Sequence, residues 1–454
     1  MNHKITFLLL LLCPSFLIAG ANSSHNSIHF GYLWVIPFIG ILLSIAIFPL
    51  INEHFWHKNF GKISAFWAIL FALPFYFLFG NETLYYFAHA VLLEYIPFIV
   101  LLFALFTISG GIVLRGNFIG TPKLNLLFLF IGTILASWMG TTGAAMLLIR
   151  PLIRANKWRE NKTHIIIFFI FLVANIGGSL TPLGDPPLFI GFLKGVNFFW
   201  TTQYMFFPML FISSILMFIF YFIDSYYYNK EISNKPSKQP INFSIEGKFN
   251  FLLLIGVVLS VILSGLYQNE FKPIYIFDNS LPLSFILRDI MLLIFSLLSY
   301  KYTLKSLRSE NGFTWFPILE VAKLFAGIFI TVIPAISILG KNKEMFSSLS
   351  NNVYFWLTGV LSGFLDNAPT YLVFFNAAGA DPNKLMEGVL TLLAISSGAV
   401  FMGAMTYIGN APNFMVRSIA EESGIKMPSF FGYMLWSVSI LGVTLFVFSK
   451  IFIK

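Results

Sequence analysis

Only one cysteine, Cys13, occurs among 454 residues, so the chain can form no intramolecular disulfide, no cysteine-based metal cluster and no dithiol redox pair. Charge is scarce as well. Asp, Glu, Lys and Arg make up 10% of the residues, against about 25% in soluble domains, which excludes an ordinary soluble protein. No phosphate-binding Gly-rich loop, zinc-ligand spacing or nucleophile elbow appears. An ATP-driven pump or an intramembrane enzyme therefore lacks support, and no cofactor is expected. What fills the chain is apolar: 57% hydrophobic residues, with 55 Phe. At roughly 40 residues per span and connection, about ten crossings of a hydrocarbon core about 30 Å thick fit the length. The expected fold class is an all-α integral membrane protein, and residues 22–454 read as one polytopic domain. The net charge of +9 reports basic cytoplasmic loops, so the expected partner is the lipid bilayer and no nucleic acid.

Residues 1–21 combine Lys4, a short apolar stretch and a small-residue end at Ala19-Gly20-Ala21, the pattern of a signal peptide whose removal leaves the N-terminus outside. Hydropathy places spans near 31–50, 63–80, 88–114, 164–196, 203–223, 249–266, 281–300, 318–339, 388–412 and 430–449. Two apolar segments resist this scheme. Residues 124–149 are divided at Gly140-Thr141-Thr142-Gly143 and have basic flanks on both sides. Limbs of about 13 residues would reach only about 20 Å, so a re-entrant hairpin opening to the cytoplasm is expected. Residues 353–378, broken at Asp366-Asn367-Ala368-Pro369 and flanked by segments without Lys or Arg, read as a second hairpin entering from outside. With ten spans and both hairpins, most basic residues fall in inner loops. The polar stretch 224–248 reads as a linker between repeats at about 63–223 and 281–449.

The halves correspond. Ser137-Trp138-Met139-Gly140-Thr141-Thr142-Gly143 lines up with Gly363-Phe364-Leu365-Asp366-Asn367-Ala368-Pro369. Downstream, the run from Gly177 to Pro187 matches in type the run from Gly403 to Asn413. First and second breaks lie about 44 residues apart in both halves, and opposite hairpin orientations make this an inverted repeat of the kind that alternates access to a midplane site.

Irregular backbone at membrane depth needs protein or a water-filled cavity to satisfy it. Gly140, Gly143, Gly177, Gly178, Gly184, Gly403 and Gly409 permit the turns, while Pro186, Pro187, Pro369 and Pro412 lack amide donors. Freed carbonyls suit cations and helix N-termini suit anions. The hydroxyls of Thr141, Thr142, Ser179, Thr181, Thr370 and Thr406, with the amides of Asn367 and Asn410, complete a polar shell. Asp185 and Asp366 set the sign of the site, because an intramembrane carboxylate is costly and serves mainly ions, protons or a partner. Either aspartate could instead cap a helix. Of the other intramembrane ionisables, Glu94 reads as structural, Glu320 and Lys323 are expected to pair, and Arg288 and Asp289, pointing about 100° apart, are not.

At these residues the chain resembles the ion transporter superfamily, which groups arsenite efflux proteins, sodium-coupled carboxylate carriers and the D-type bacterial sodium/proton antiporters. Gly177-Gly178-Ser179-Leu180-Thr181-Pro182-Leu183-Gly184-Asp185 resembles the antiporters' Gly-Gly-x-x-Ser-Pro-x-Gly-Asp, and Leu365-Asp366-Asn367-Ala368-Pro369 their Val-Asp-Asn-x-Pro. The layout also resembles a branch named for citrate transport. The resemblance implies a homodimeric carrier of the bacterial cytoplasmic membrane, in which a transport domain moves against a scaffold. The leading expectation is sodium (or lithium)/proton antiport, with Asp185 and Asp366 exchanging transported sodium for a proton. The alternative is cation-coupled transport of citrate or a dicarboxylate cradled by helix N-termini and hydroxyls. Antiport leads because neither motif contains an Arg and two carboxylates would repel a multivalent anion unless sodium lay between them. An ion channel would need a continuous polar pore, which paired inverted hairpins do not suggest.

Overall fold

In lipid, every backbone group must find its partner inside the protein, so apolar runs of this length form helices. The computed structural model describes residues 28–454 apart from 29, 232–241, 343, 345 and 347; the expected signal peptide, 1–21, lies outside the described residues. The first third holds α1 (Ile36–Ile51), α2 (Glu53–Phe79) and α3 (Glu82–Ala88), the last running through a π-helical turn at His89–Tyr95 into α4 (Ile96–Ser109). After strand β1 (Val113–Gly116) come α5 (Pro122–Met139), α6 (Thr141–Ala155), α7 (Thr163–Leu172), α8 (Pro186–Leu193) and the long α9 (Trp200–Lys230). Strand β2 (Phe243–Glu246) pairs antiparallel with β1, Val113 opposite Glu246. Then follow α10 (Phe249–Leu266), a two-stranded ribbon of β3 (Ile274–Ile276) and β4 (Asn279–Leu281), α11 (Leu283–Tyr302) and α12 (Lys305–Glu310). Helices α13 (Phe316–Thr331) and α14 (Ile333–Lys341) meet at a bend of 42°, where Pro334 removes a helical donor. The last third holds α15 (Asn351–Leu365), α16 (Asn367–Ala377), α17 (Pro382–Glu387), α18 (Val389–Met402), α19 (Ala411–Glu422), α20 (Phe430–Trp436), a π-helical turn at Ser437–Gly442 and α21 (Val443–Phe452).

Among the described residues nine helices are long and apolar enough to cross a membrane, or ten with the bent pair, so the protein is an all-α, multi-pass membrane protein. Pro122–Met139 counts among the nine on length and composition. Its 18 residues reach about 27 Å, so the expected limb length is corrected: the first hairpin has limbs of 18 and 15 residues and the second of 15 and 11. Contacts between feet, not shortness, identify them as hairpins. Asn125, near the start of α5, exchanges hydrogen bonds of 3.0 and 2.7 Å with Asn156, just past α6. In the second hairpin Tyr354, near the start of α15, lies 6.4 Å from the ring of Phe374, near the end of α16.

The two hairpins enter from opposite ends. Asn125 also donates to Asp224, which binds His164 at the start of the first broken span, α7 and α8, and neighbouring Thr163 donates to Lys426 O, past the end of the second broken span, α18 and α19, at 3.0 Å. The foot of the second hairpin, Asn351, instead accepts from Thr391, at the start of that second span, at 2.8 Å. The broken spans are therefore antiparallel, with one hairpin at each end. They also lie at the centre: the window from Thr163 to Leu180 is 89% buried, against 17% for His54–Phe79, as irregular intramembrane backbone requires.

Other boundaries and pairings differ from expectation. The second helix begins nine residues or more before 63, because Lys58 and Lys62 sit on turns near its end where charge can reach the interface. The expected linker 224–248 is helical through Lys230 and its Asp224 is fully buried. Arg288 does pair with Asp289, Nε to Oδ1 at 2.8 Å; in a dry interior the long Arg side chain folds back to the nearest acceptor. Glu320 takes Trp56 Nε1 at 3.2 Å instead of Lys323, whose Nζ lies 5.5 Å from the Phe60 ring centre, because α2 packs over the face they share. Glu94 bonds Lys194, the residue capping α8.

Candidate functional site

Each hairpin turns on one residue in a conformation that side chains rarely adopt. Gly140 has φ 79° and ψ 148°, and Asp366 has φ 76° and ψ 141°. Glycine takes this geometry freely; a residue with a Cβ is strained there by about 1–3 kcal/mol. Asp366 recovers part of that by accepting the Ala368 amide at 3.2 Å, with its side chain half-buried. The second limbs then start at Thr141 and Asn367.

The broken spans are built alike. Thr181 donates to Ser137 O in the neighbouring hairpin and accepts the Leu183 amide at 3.2 Å. Thr406 donates to Gly363 O and accepts the Ile408 amide at 3.1 Å. A Cβ on Gly184 would strike Gly178 O, and one on Gly409 would lie 2.5 Å from Gly403 O, so both turns close only with glycine. These pairs fix the register: Thr181 corresponds to Thr406 and Asp185 to Asn410, one residue off a position-by-position alignment from Gly177 and Gly403.

Asp185 and Asn410 occupy the N-cap positions of α8 and α19 with nearly the same extended backbone, φ/ψ −142°/141° and −153°/139°. Neither side chain caps its own helix. The Asp185 carboxylate, 1% exposed, accepts from Thr141 Oγ1 (3.2 Å) and Asn410 Nδ2 (2.9 Å) on Oδ1, and from Asn367 Nδ2 (2.6 Å) on Oδ2. One buried carboxylate thus joins both hairpin tips and both broken spans, and every donor is neutral.

The backbone around this junction is polarised. Carbonyls at the C-terminal ends of the half-helices are closed by side-chain donors: Ile170 O by Asn175, Ala174 O by Asn410, and Gly403 O and Thr406 O by Asn413. Asn175 further ties the spans together, donating to Asn413 Oδ1 at 2.7 Å and accepting from Asn410 at 3.2 Å. By contrast, α6, α8 and α19 begin with no side-chain cap. The positive ends of those helices face the junction.

Of the other residues singled out in the sequence, Ser179 is buried and its Oγ lacks a hydrogen-bond partner, as does Asn367 Oδ1. Both are hard oxygen donors of the kind a cation takes. No group of three or more His, Cys, Asp or Glu able to hold a metal occurs among the described residues. Thr142 is half-buried and outside the group bonded to Asp185, and Thr370 back-bonds to Asp366 O at 2.7 Å. Pro186, Pro187 and Pro412 fall in first turns, and Pro369 is the third residue of α16. A Cβ on Gly143 would meet Ser109 Oγ of α4, and one on Gly177 would meet Thr133 O of α5, each at 2.5 Å. Asn175 and Asn413 join this junction although neither is a candidate ligand from the sequence; Asn413 closes the second matched run, and the signal for Asn175 was an asparagine within an apolar run, Val173-Ala174-Asn175-Ile176.

A second buried polar cluster lies at the foot of the first hairpin. Asp224 binds Arg159 at 2.6 Å, His164 at 2.8 Å and Asn125 at 2.9 Å, with Arg159 and Asp224 side chains both 0% exposed. It staples hairpin, broken span and α9 together.

A family model described as "Putative citrate transport" matches residues 27–453. No curated protein matches the chain.

Proposed function

The chain belongs to the family described as putative citrate transport, and from that premise we propose that this secondary transporter carries citrate or a related dicarboxylate by alternating access, coupled to a cation, in a bacterial cytoplasmic membrane. The supporting observation is the junction itself: three uncapped helix starts and three neutral side-chain donors converge on one carboxylate position, while the carbonyl ends are closed off. Hydroxyls, carboxamides and helix N-termini are the groups that hold carboxylates without an arginine. This answers the missing Arg that favoured antiport: about half a positive charge per helix start substitutes for it. The carboxyls of Asp185 and Asp366 then offer a coupled cation a place beside the substrate, and Ser179 Oγ and Asn367 Oδ1 are further buried oxygens without a partner.

Binding to the purified protein tests this reading. Citrate with sodium is expected to raise the melting temperature by mass action, and Thr141→Ala and Asn367→Ala to weaken that response by roughly tenfold in concentration each, since one hydrogen bond to a charged group is worth about 1.5–3 kcal/mol. Stabilisation by sodium or lithium alone, with citrate inert, would favour antiport.

A further inference from the structure

An aspartate at an N-cap ordinarily turns its carboxylate to the amides of its own helix. At α8 that role is closed to Asp185, because Pro186 and Pro187 carry no amide hydrogen and the Leu188 amide is held by the Asp185 backbone carbonyl at 3.1 Å. The side chain reaches away instead, to donors on three other segments: Thr141, Asn367 and Asn410. Its pseudo-symmetric counterpart, Asn410, has the same backbone but presents an amide donor, so carboxylate acceptor and donors are complementary only in this arrangement. The donors that face Asp185 are also the ones that a substrate carboxylate would use, and they can hold one carboxylate at a time.

We infer that Asp185 is a built-in stand-in for the substrate carboxylate: it occupies the receptor formed by Thr141, Asn367 and Asn410 when the carrier is empty, and is displaced when a carboxylate from solution enters. The inference rests on the carboxylate-transport reading and deepens it. Buried donors left unpaired are costly, so a carrier with an internal carboxylate can keep its tips closed without cargo. Entry of substrate then frees Asp185 to face the cation.

The test is chemical rescue of the full-length protein in detergent. Asp185→Ala removes the stand-in and leaves its receptor open. Formate, the smallest carboxylate, should raise the melting temperature of Asp185→Ala in proportion to the logarithm of its concentration, with no such response in the parent or with chloride at equal ionic strength. Measured without sodium, so that the carboxylate Asp185 would offer a cation plays no part, citrate should bind Asp185→Ala several-fold more tightly than the parent, having lost its competitor. A folded Asp185→Ala that ignores formate and binds citrate no better than the parent overturns the stand-in while leaving citrate transport standing. Formate rescue without citrate binding in any form keeps the carboxylate receptor and rejects citrate as cargo. If Asp185→Ala does not fold, Asp185→Asn reads the same point, since one amide oxygen cannot satisfy three donors: citrate affinity equal to or above the parent's supports the stand-in, and a loss of more than roughly tenfold overturns it.

Discussion

Asp366 stands where the other repeat has Gly140, in a backbone conformation that only glycine adopts without strain. Its side chain therefore carries a conformational cost of the kind that clusters at functional sites. Asp366→Gly would lose the bond to the Ala368 amide, a deficit of a few tenths of a kcal/mol for Gly at an N-cap, and would relieve about 1 kcal/mol or more of strain. The expected outcome is a melting temperature equal to or above the parent's together with loss of cation-coupled transport; a clear drop in stability would mark Asp366 as a cap alone. At this scale the sequence disclosed the break residues well, because Gly, Pro and Asp are conspicuous in an apolar run. It did not disclose partners. Arg288 reaches Asp289, Glu320 goes to Trp56, and Asn175 joins the site, since such pairings depend on which helix packs over which face.

Among the elements, the hairpins and broken spans were legible from paired motifs and symmetric spacing. Limb lengths were not, because Gly140 lies 18 residues into an apolar stretch whose start at Pro122 is set by the Thr121 cap, the hydroxyl accepting the Leu124 amide. The break turns are close-packed backbone on backbone, so Gly409→Ala should cost about 1–3 kcal/mol by overpacking against Gly403 O, read as a lowered melting temperature in detergent. The foot of the first hairpin makes a stronger prediction. Arg159→Gln leaves Asp224 buried without its cation, and breaking a buried ion pair in this way costs about 3–5 kcal/mol; the variant should show sharply reduced folded yield, whereas a normal yield would mean the cluster is dispensable.

For the molecule as a whole, inversion of the repeats was visible in the sequence through the basic loops, and the structure carries it in the opposite entry of the hairpins. Asn161 and Asn383 are both exposed, one beyond the foot of each hairpin. Single cysteines placed there, in a chain whose sole cysteine, Cys13, has been replaced, should react with an impermeant reagent from opposite sides of the membrane; labelling from the same side would contradict an inverted repeat. Substrate was the least legible property, because Asp185 and Asp366 suit a transported cation and helix starts suit an anion, and the sequence does not show that Asp185 meets both hairpin tips. The measurement that addresses this most directly is flux in proteoliposomes of the purified protein under an imposed inward sodium gradient. Labelled citrate is expected to accumulate inside, and collapsing the sodium gradient to stop it; sodium-driven proton movement with no citrate uptake would contradict citrate transport.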